Sequence, residues 1–260
     1  MNETPLPRWP GMAGAVLALG AMAYAHVVAA DAVNPASGLI SDYALVGTSA
    51  WALAGGTIML AVGSLWIAFG LTRVDPARSA AARVLFVAGA LGLLITAGFP
   101  TDSAPDVVSV GGEIHRWAAA VVFTALPCAG WMLGRRSGDR ALSAVSVLSV
   151  VFLAAFLATH PGSLTSDLVN GSGYYGLIER LLVLTEIALV FLAARVVDGR
   201  HRENPVPALA AGARRHEGPA LSLTHRSPEA GRLGAGAAVP AQPSADDVRR
   251  PRQPIGLGSA

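Results

Sequence analysis

Six apolar runs separated by short polar connections occupy the first 200 residues of this 260-residue chain, and this alternation constrains the fold more than any single motif. The runs cover 11–30, 46–71, 84–99, 114–134, 141–160 and 177–197. A helix rises about 1.5 Å per residue, so about 20 residues cross a hydrocarbon layer of about 30 Å. The third run reaches that length if its helix starts in the alanines at 80–82. Segments rich in proline and glycine cannot cross hydrocarbon with unpaired backbone groups, so the connections belong at membrane surfaces. The expected fold is all-α: a compact six-transmembrane-helix bundle over residues 1–200, followed by a disordered cytoplasmic tail over 201–260. That tail is dominated by Pro, Ala, Gly, Ser, Arg and acidic residues, without the apolar periodicity needed for a core.

Composition points the same way. The chain is 53% hydrophobic and 14% charged, against about 25% charged in soluble domains. Its mean hydropathy is +0.50. A net charge of +2, divided among separate segments, excludes nucleic acid as a partner. The single cysteine, Cys128, cannot form an intrachain disulfide and sits in an apolar run, where packing is its expected role. The first run is longer than the usual apolar core of a signal peptide and further spans follow, which favours a retained helix over a cleaved leader.

Arginines orient the spans. Arg8, Arg73/Arg78/Arg83, Arg135/Arg136/Arg140 and Arg195/Arg200/Arg202 fall on one side of a six-span topology. Asp31/Asp42, Asp102/Asp106/Glu113 and Asp167 fall on the other. The positive-inside rule then places both termini in the cytoplasm, in a bacterial or archaeal inner membrane. Gly56, Gly63 and Gly70, seven residues apart, form a slowly drifting stripe suited to close helix contact, as does the Ala88–Gly92 spacing. Pro127 predicts a kink in the fourth span. Ser41 and Asp42 are expected to cap the second helix, and Tyr174 and Tyr175 to sit at an interface.

Chemistry concentrates at the outer face, around the polar stretch from Phe99 to Trp117. Topology brings Ser41, Asp42, Asp102, His115, Glu179 and Arg180 to one level, as a ligand-binding pocket or as a structural polar network. Glu186 lies one or two turns deeper and is a candidate buried proton site. His26, His115 and His160 invite a metal or haem reading, but no ligand repeat accompanies them, so no cofactor and no metal is expected. Ser41 or Ser109 with His115 and an aspartate are ingredients of a hydrolase without a nucleophile elbow to assemble them, and no catalytic residue is assigned.

The segments Asn34-Pro35, Gly38, Ile40-Ser41-Asp42-Tyr43-Ala44-Leu45, Phe99-Pro100-Thr101-Asp102, and Gly112 with His115 resemble those of the membrane family called domain of unknown function family 998. The resemblance covers residues 11–197. It implies a compact multi-helix membrane protein of bacteria and archaea and directs attention to Ser41, Asp42, Asp102 and His115, without a substrate or reaction. The functions in contention are a small transporter or membrane-ligand-binding protein, a structural or assembly protein, and a membrane-embedded hydrolase. Expected partners are membrane lipids, an unidentified small molecule or ion, and further copies of the chain in a homo-oligomer.

Overall fold

Glycines set how closely the helices approach, and the first two spans show how. A side chain at Gly14 would fall on the Met59 carbonyl oxygen, and one at Gly56 on Ala18 and Ala21. The ascending numbers in one helix meet descending numbers in the other, so the two run antiparallel with their backbones almost touching. The computed structural model describes residues 9–103, 107–160, 163–166, 168 and 171–203. These residues form six long helices: α1 (Pro10–Val28), α2 (Gly47–Val74), α3 (Ala80–Gly98), α4 (Val110–Ser137), α5 (Arg140–Thr159) and α6 (Gly171–Glu203). Arg8, Asp106, Asp167 and the tail from 204 onward lie outside the described residues.

Successive helices pack against one another, and α6 also packs against α1, α2 and α4, which makes it the central element. Leu182, Leu189, Val190 and Ala193 of α6 are fully buried. By length and composition, α1 to α5 can each cross a membrane. The apolar run of α6 differs in carrying Glu179, Arg180, Glu186 and Arg195. Its interior position is what allows Glu179, Arg180 and Glu186 to find protein partners, while Arg195 is exposed. The most apolar helix, α5, is also the least buried of the other five. Large apolar side chains such as Val27, Trp51, Val110, Trp117 and Leu157 point out of the bundle.

The stripe at Gly56, Gly63 and Gly70 turns as it descends α2. Gly56 faces α1, Gly63 lies between Gly11 of α1 and Val190 of α6, and Gly70 faces Val197 of α6. A seven-residue repeat drifts about 20° per heptad on a straight helix, which moves the contact from one neighbour to the next. On α3 Gly92 makes the expected close approach, against Ala118 and Val122 of α4, and Gly89 makes a second one against Leu126.

Four local expectations change. The polar stretch at 99–117 is a connection only to Ser109; α4 begins at Val110, because the Ser109 hydroxyl accepts the Gly112 N–H and caps it. Ser41 and Asp42 do not cap α2. They lie in a separate 3-10 turn, Ser41–Leu45, and α2 starts after Val46 without a side-chain cap. Cys128 faces outward instead of packing in the core. The last helix runs to Glu203, three residues into the segment expected to be tail. At the arginine-bearing end, Arg136 donates to the Arg78 carbonyl and pairs with Asp75 at 3.9 Å, joining the α2–α3 connection to α4.

Overpacking a close contact costs about 1–3 kcal/mol. Gly14→Val is therefore expected to lower unfolding stability in detergent by that amount. Gly20→Ala, on the same helix with open space around it, should leave stability unchanged or raise it by up to about 1 kcal/mol. Equal effects of the two substitutions would show that α1 does not approach α2 at Gly14.

Candidate functional site

The segment joining α1 to α2 is folded back on itself and laid against the start of α6. Asn34 begins a turn in which its side-chain oxygen accepts the Ala36 N–H at 2.8 Å and its carbonyl accepts the Gly38 N–H at 2.8 Å. Asp42 accepts the Leu39 N–H at 2.7 Å, closing the next turn. The Leu177 N–H of α6 then donates to the Ala36 carbonyl at 2.9 Å. A side chain at Gly176 would fall on the Gly38 carbonyl, so a glycine there is a condition of the two backbones meeting. Loop and helix are thus joined through backbone atoms before any ionisable group takes part.

Arg180 secures this junction. Its guanidinium donates to four acceptors: Nε–H to His26 Nε2 at 2.8 Å, Nη1–H to the carbonyls of Gly38 at 2.5 Å and Gly176 at 2.8 Å, and Nη2–H to the Tyr43 hydroxyl at 3.1 Å. The residue is only 5% exposed, and its charge lies 5.5 Å from the centroid of the Tyr43 ring. His26 Nδ1 is 2.8 Å from the Met22 carbonyl, which can only accept. Nδ1 therefore carries the proton and Nε2 offers a lone pair to Arg180, which fixes a neutral imidazole. Adjacent Glu179, also buried, points elsewhere and accepts the Ile40 N–H at 2.5 Å. His26 and the nearby segment 38–43 are held by this set to the distant segment 176–180.

A second polar cluster lies at the start of α4. Asp102, its side chain 8% exposed, accepts from the Ser109 N–H and hydroxyl and pairs with Arg116 at 3.3 Å. Arg116 also pairs with Glu113 at 2.8 Å. Gly112 leaves the space that the Asp102 carboxylate fills. His115 Nδ1–H donates to the Phe99 carbonyl at 2.7 Å, tying α4 back to the end of α3.

Between α1, α2, α3, α4 and α6 is a cavity of about 330 Å³. Its wall is largely apolar, and Ser41, His115, Glu179 and Glu186 border it. Glu186 is 1% exposed. Its Oε1 accepts the Ser149 hydroxyl of α5 at 2.6 Å, and its Oε2 is buried without a hydrogen-bond partner. A mostly apolar enclosure with a few placed polar groups is the usual construction of a small-molecule site, and this volume is at the small end of that range.

The residues expected to share one pocket therefore divide. Ser41, His115, Glu179 and Glu186 border the cavity. Asp42 is committed to the Leu39 amide and Asp102 to Ser109 and Arg116, while Arg180 bonds to His26, Tyr43 and two carbonyls. The three histidines do not converge: His26 serves Arg180, His115 serves Phe99, and His160 packs edge-on to Tyr175. Tyr175 itself stacks on Phe156 of α5, both rings being half-buried. Among the described residues, no group of three or more His, Cys, Asp or Glu could hold a metal ion.

Tyr43, His26 as a partner of Arg180, and Ser149 were not anticipated as site residues. Only Ser149 carried a usable signal. Ser143, Ser146 and Ser149 recur every three residues on α5, and Ser146 and Ser149 are buried. A polar stripe on an otherwise apolar span marks the face turned toward other helices.

The signature of one protein family matches residues 12–196. The family is described as Protein of unknown function (DUF998), and the chain belongs to it. No curated protein and no solved structure matches the chain.

The Ile40 amide gives a direct test of the junction. Glu179→Gln keeps an acceptor for it and should change unfolding stability by less than about 1 kcal/mol. Glu179→Leu leaves the buried amide unpaired and should cost about 1–3 kcal/mol. Denaturant unfolding in nanodiscs distinguishes the two; equal losses would show that the Glu179–Ile40 bond contributes nothing.

Proposed function

We propose that this member of the DUF998 family is a small transporter or membrane-ligand-binding protein whose ligand occupies the cavity bordered by Ser41, His115, Glu179 and Glu186. The observation that carries the reading is a largely apolar, partly open cavity of about 330 Å³ whose wall includes Glu186, a residue with one buried carboxylate oxygen, Oε2, that no protein group satisfies. A buried polar atom without a partner costs free energy, and a bound molecule that satisfies it offsets that cost. The site proposed lies beneath the α1–α2 segment and opens partly to the outside of the bundle, where Trp51 is exposed.

A structural role is favoured for the neighbouring Arg180 set by a specific observation: four of its N–H donations end on protein atoms. We assign that set to holding the cavity's roof and not to the ligand. A hydrolase finds less support. The Ser109 hydroxyl is spent on Asp102 and the Gly112 amide, and the His115 Nδ1–H on the Phe99 carbonyl, so this serine and histidine serve different partners.

The proposed placement is a six-span protein of a bacterial or archaeal inner membrane with both ends cytoplasmic. It is supported by Arg73, Arg78, Arg83, Arg135, Arg136 and Arg140 sharing the end opposite the cavity, under the positive-inside rule. In a Cys128→Ala background, an impermeant thiol reagent applied to intact cells should label a cysteine at Ser103 and spare one at Ser137. The reverse pattern would invert the topology.

The functional test is occlusion. Liposome-reconstituted protein would be screened for binding and flux of lipids, small metabolites and ions, beside Ala119→Trp, which fills the cavity, and His115→Leu. The expected result is a ligand whose binding falls about tenfold or more in Ala119→Trp at unchanged helix content. Full binding in both variants would place the ligand elsewhere and overturn the assignment.

A further inference from the structure

All but one of the polar groups of the cavity share a bias that narrows the ligand; the exception is the Ser41 hydroxyl, which keeps a proton to donate. The Thr57 and Thr96 hydroxyls, both on the wall, donate to the carbonyls of Leu53 and Leu93 in their own helices and so present only lone pairs inward. His115 spends its Nδ1 proton on the Phe99 carbonyl, which leaves Nε2 as a lone pair. Glu179 accepts the Ile40 amide through one oxygen, and Glu186 accepts Ser149 through one oxygen while the other has no partner. Two carboxylate residues, two hydroxyls and an imidazole thus supply acceptors to the wall of one partly open cavity. Arg180, the strongest donor nearby, is committed outside the wall.

A lining of acceptors is complemented by a donor, and carboxylate residues in an apolar wall are complemented by positive charge. The rest of the wall, including Met22, Leu60, Leu93, Phe123 and Ile187, is suited to hydrocarbon and not to the water or oxygen shell of an inorganic ion. Resting on the reading of the cavity as a ligand site, we propose that its ligand is a small organic amine with an apolar body, its ammonium group donating to Glu186 Oε2. The apolar body lies against Phe123 and Leu93, and the remaining N–H groups find the Thr57 and Thr96 oxygens. An anion or a neutral acceptor would meet only the Ser41 hydroxyl as a donor there.

The test compares three probes of one shape: 2-phenylethylammonium, 2-phenylethanol and phenylacetate, titrated by calorimetry into the full-length protein in nanodiscs. The ammonium probe should bind about tenfold or more tighter than the alcohol, as a charge-assisted bond replaces a neutral one, and phenylacetate weakest. Glu186→Gln should erase the advantage of the amine over the alcohol, and Ala119→Trp should remove binding of both. If Glu186→Gln does not fold, Glu186→Asp withdraws the carboxylate by one methylene and should reduce the amine's advantage by about threefold or more. Equal binding of amine and alcohol, both lost in Ala119→Trp, would overturn the amine inference while leaving the cavity as the ligand site. An amine preference that persists undiminished in Glu186→Gln or Glu186→Asp would overturn the assignment to Glu186. Binding of every probe unchanged by Ala119→Trp would overturn both the inference and the cavity reading.

Discussion

A guanidinium taken out of water has to find acceptors for its N–H groups, and the acceptors that Arg180 finds determine how one end of this bundle is built. Two are backbone carbonyls, one is a histidine held as the neutral tautomer, and one is a tyrosine hydroxyl. Removing any one strands a donor in a site that is 5% exposed. The arrangement explains why the α1–α2 segment is tightly folded although it contains no long helix. Its carbonyl at Gly38 and its aromatic ring at Tyr43 are the partners that the charge requires.

The same constraint organises the interior. Helix α6 brings the carboxylates of Glu179 and Glu186 into the bundle, and it packs against α1, α2, α4 and α5, the helices able to shield or partner them. Glu179 is stabilised by the Ile40 amide and Glu186 by Ser149, yet Glu186, on the cavity wall, retains one buried oxygen without a partner. Stability alone would favour an apolar residue of similar size at that position. Structure and proposed function therefore part at Glu186: the Arg180 set closes the end of the bundle, and the cavity beneath it is left with unmet hydrogen-bonding capacity.

The helices were legible in the sequence because length and apolarity are properties of a single segment, and five of the six are long and apolar enough to cross hydrocarbon. The drift of Gly56, Gly63 and Gly70 from one neighbour to the next was legible as a stripe, though not which helices it would meet. Pairings were not legible. Arg180 meets His26, Gly38 and Tyr43 across 137 to 154 residues, and two of its acceptors are carbonyls that every residue possesses. The Ser41–Asp42 pair looked like a helix cap because serine and aspartate do cap helices. Asp42 instead accepts the Leu39 amide, because a turn must close before α2 can begin. The cavity itself left no mark on the sequence, since alanines and leucines line it as they line the packed core.

His26 and Arg180 act as one unit joining α1 to α6, and the junction rests on that bond more than on any other. A double-mutant cycle measures that coupling: His26→Leu, Arg180→Met and the double variant, each unfolded by denaturant in the same detergent. Residues bonded in one buried network couple by about 0.5–3 kcal/mol. The double variant is expected to lose less stability than the two single losses summed, by an amount in that range. Additivity within about 0.3 kcal/mol would mean that the two side chains do not bond in the folded protein, and the junction described here would be wrong.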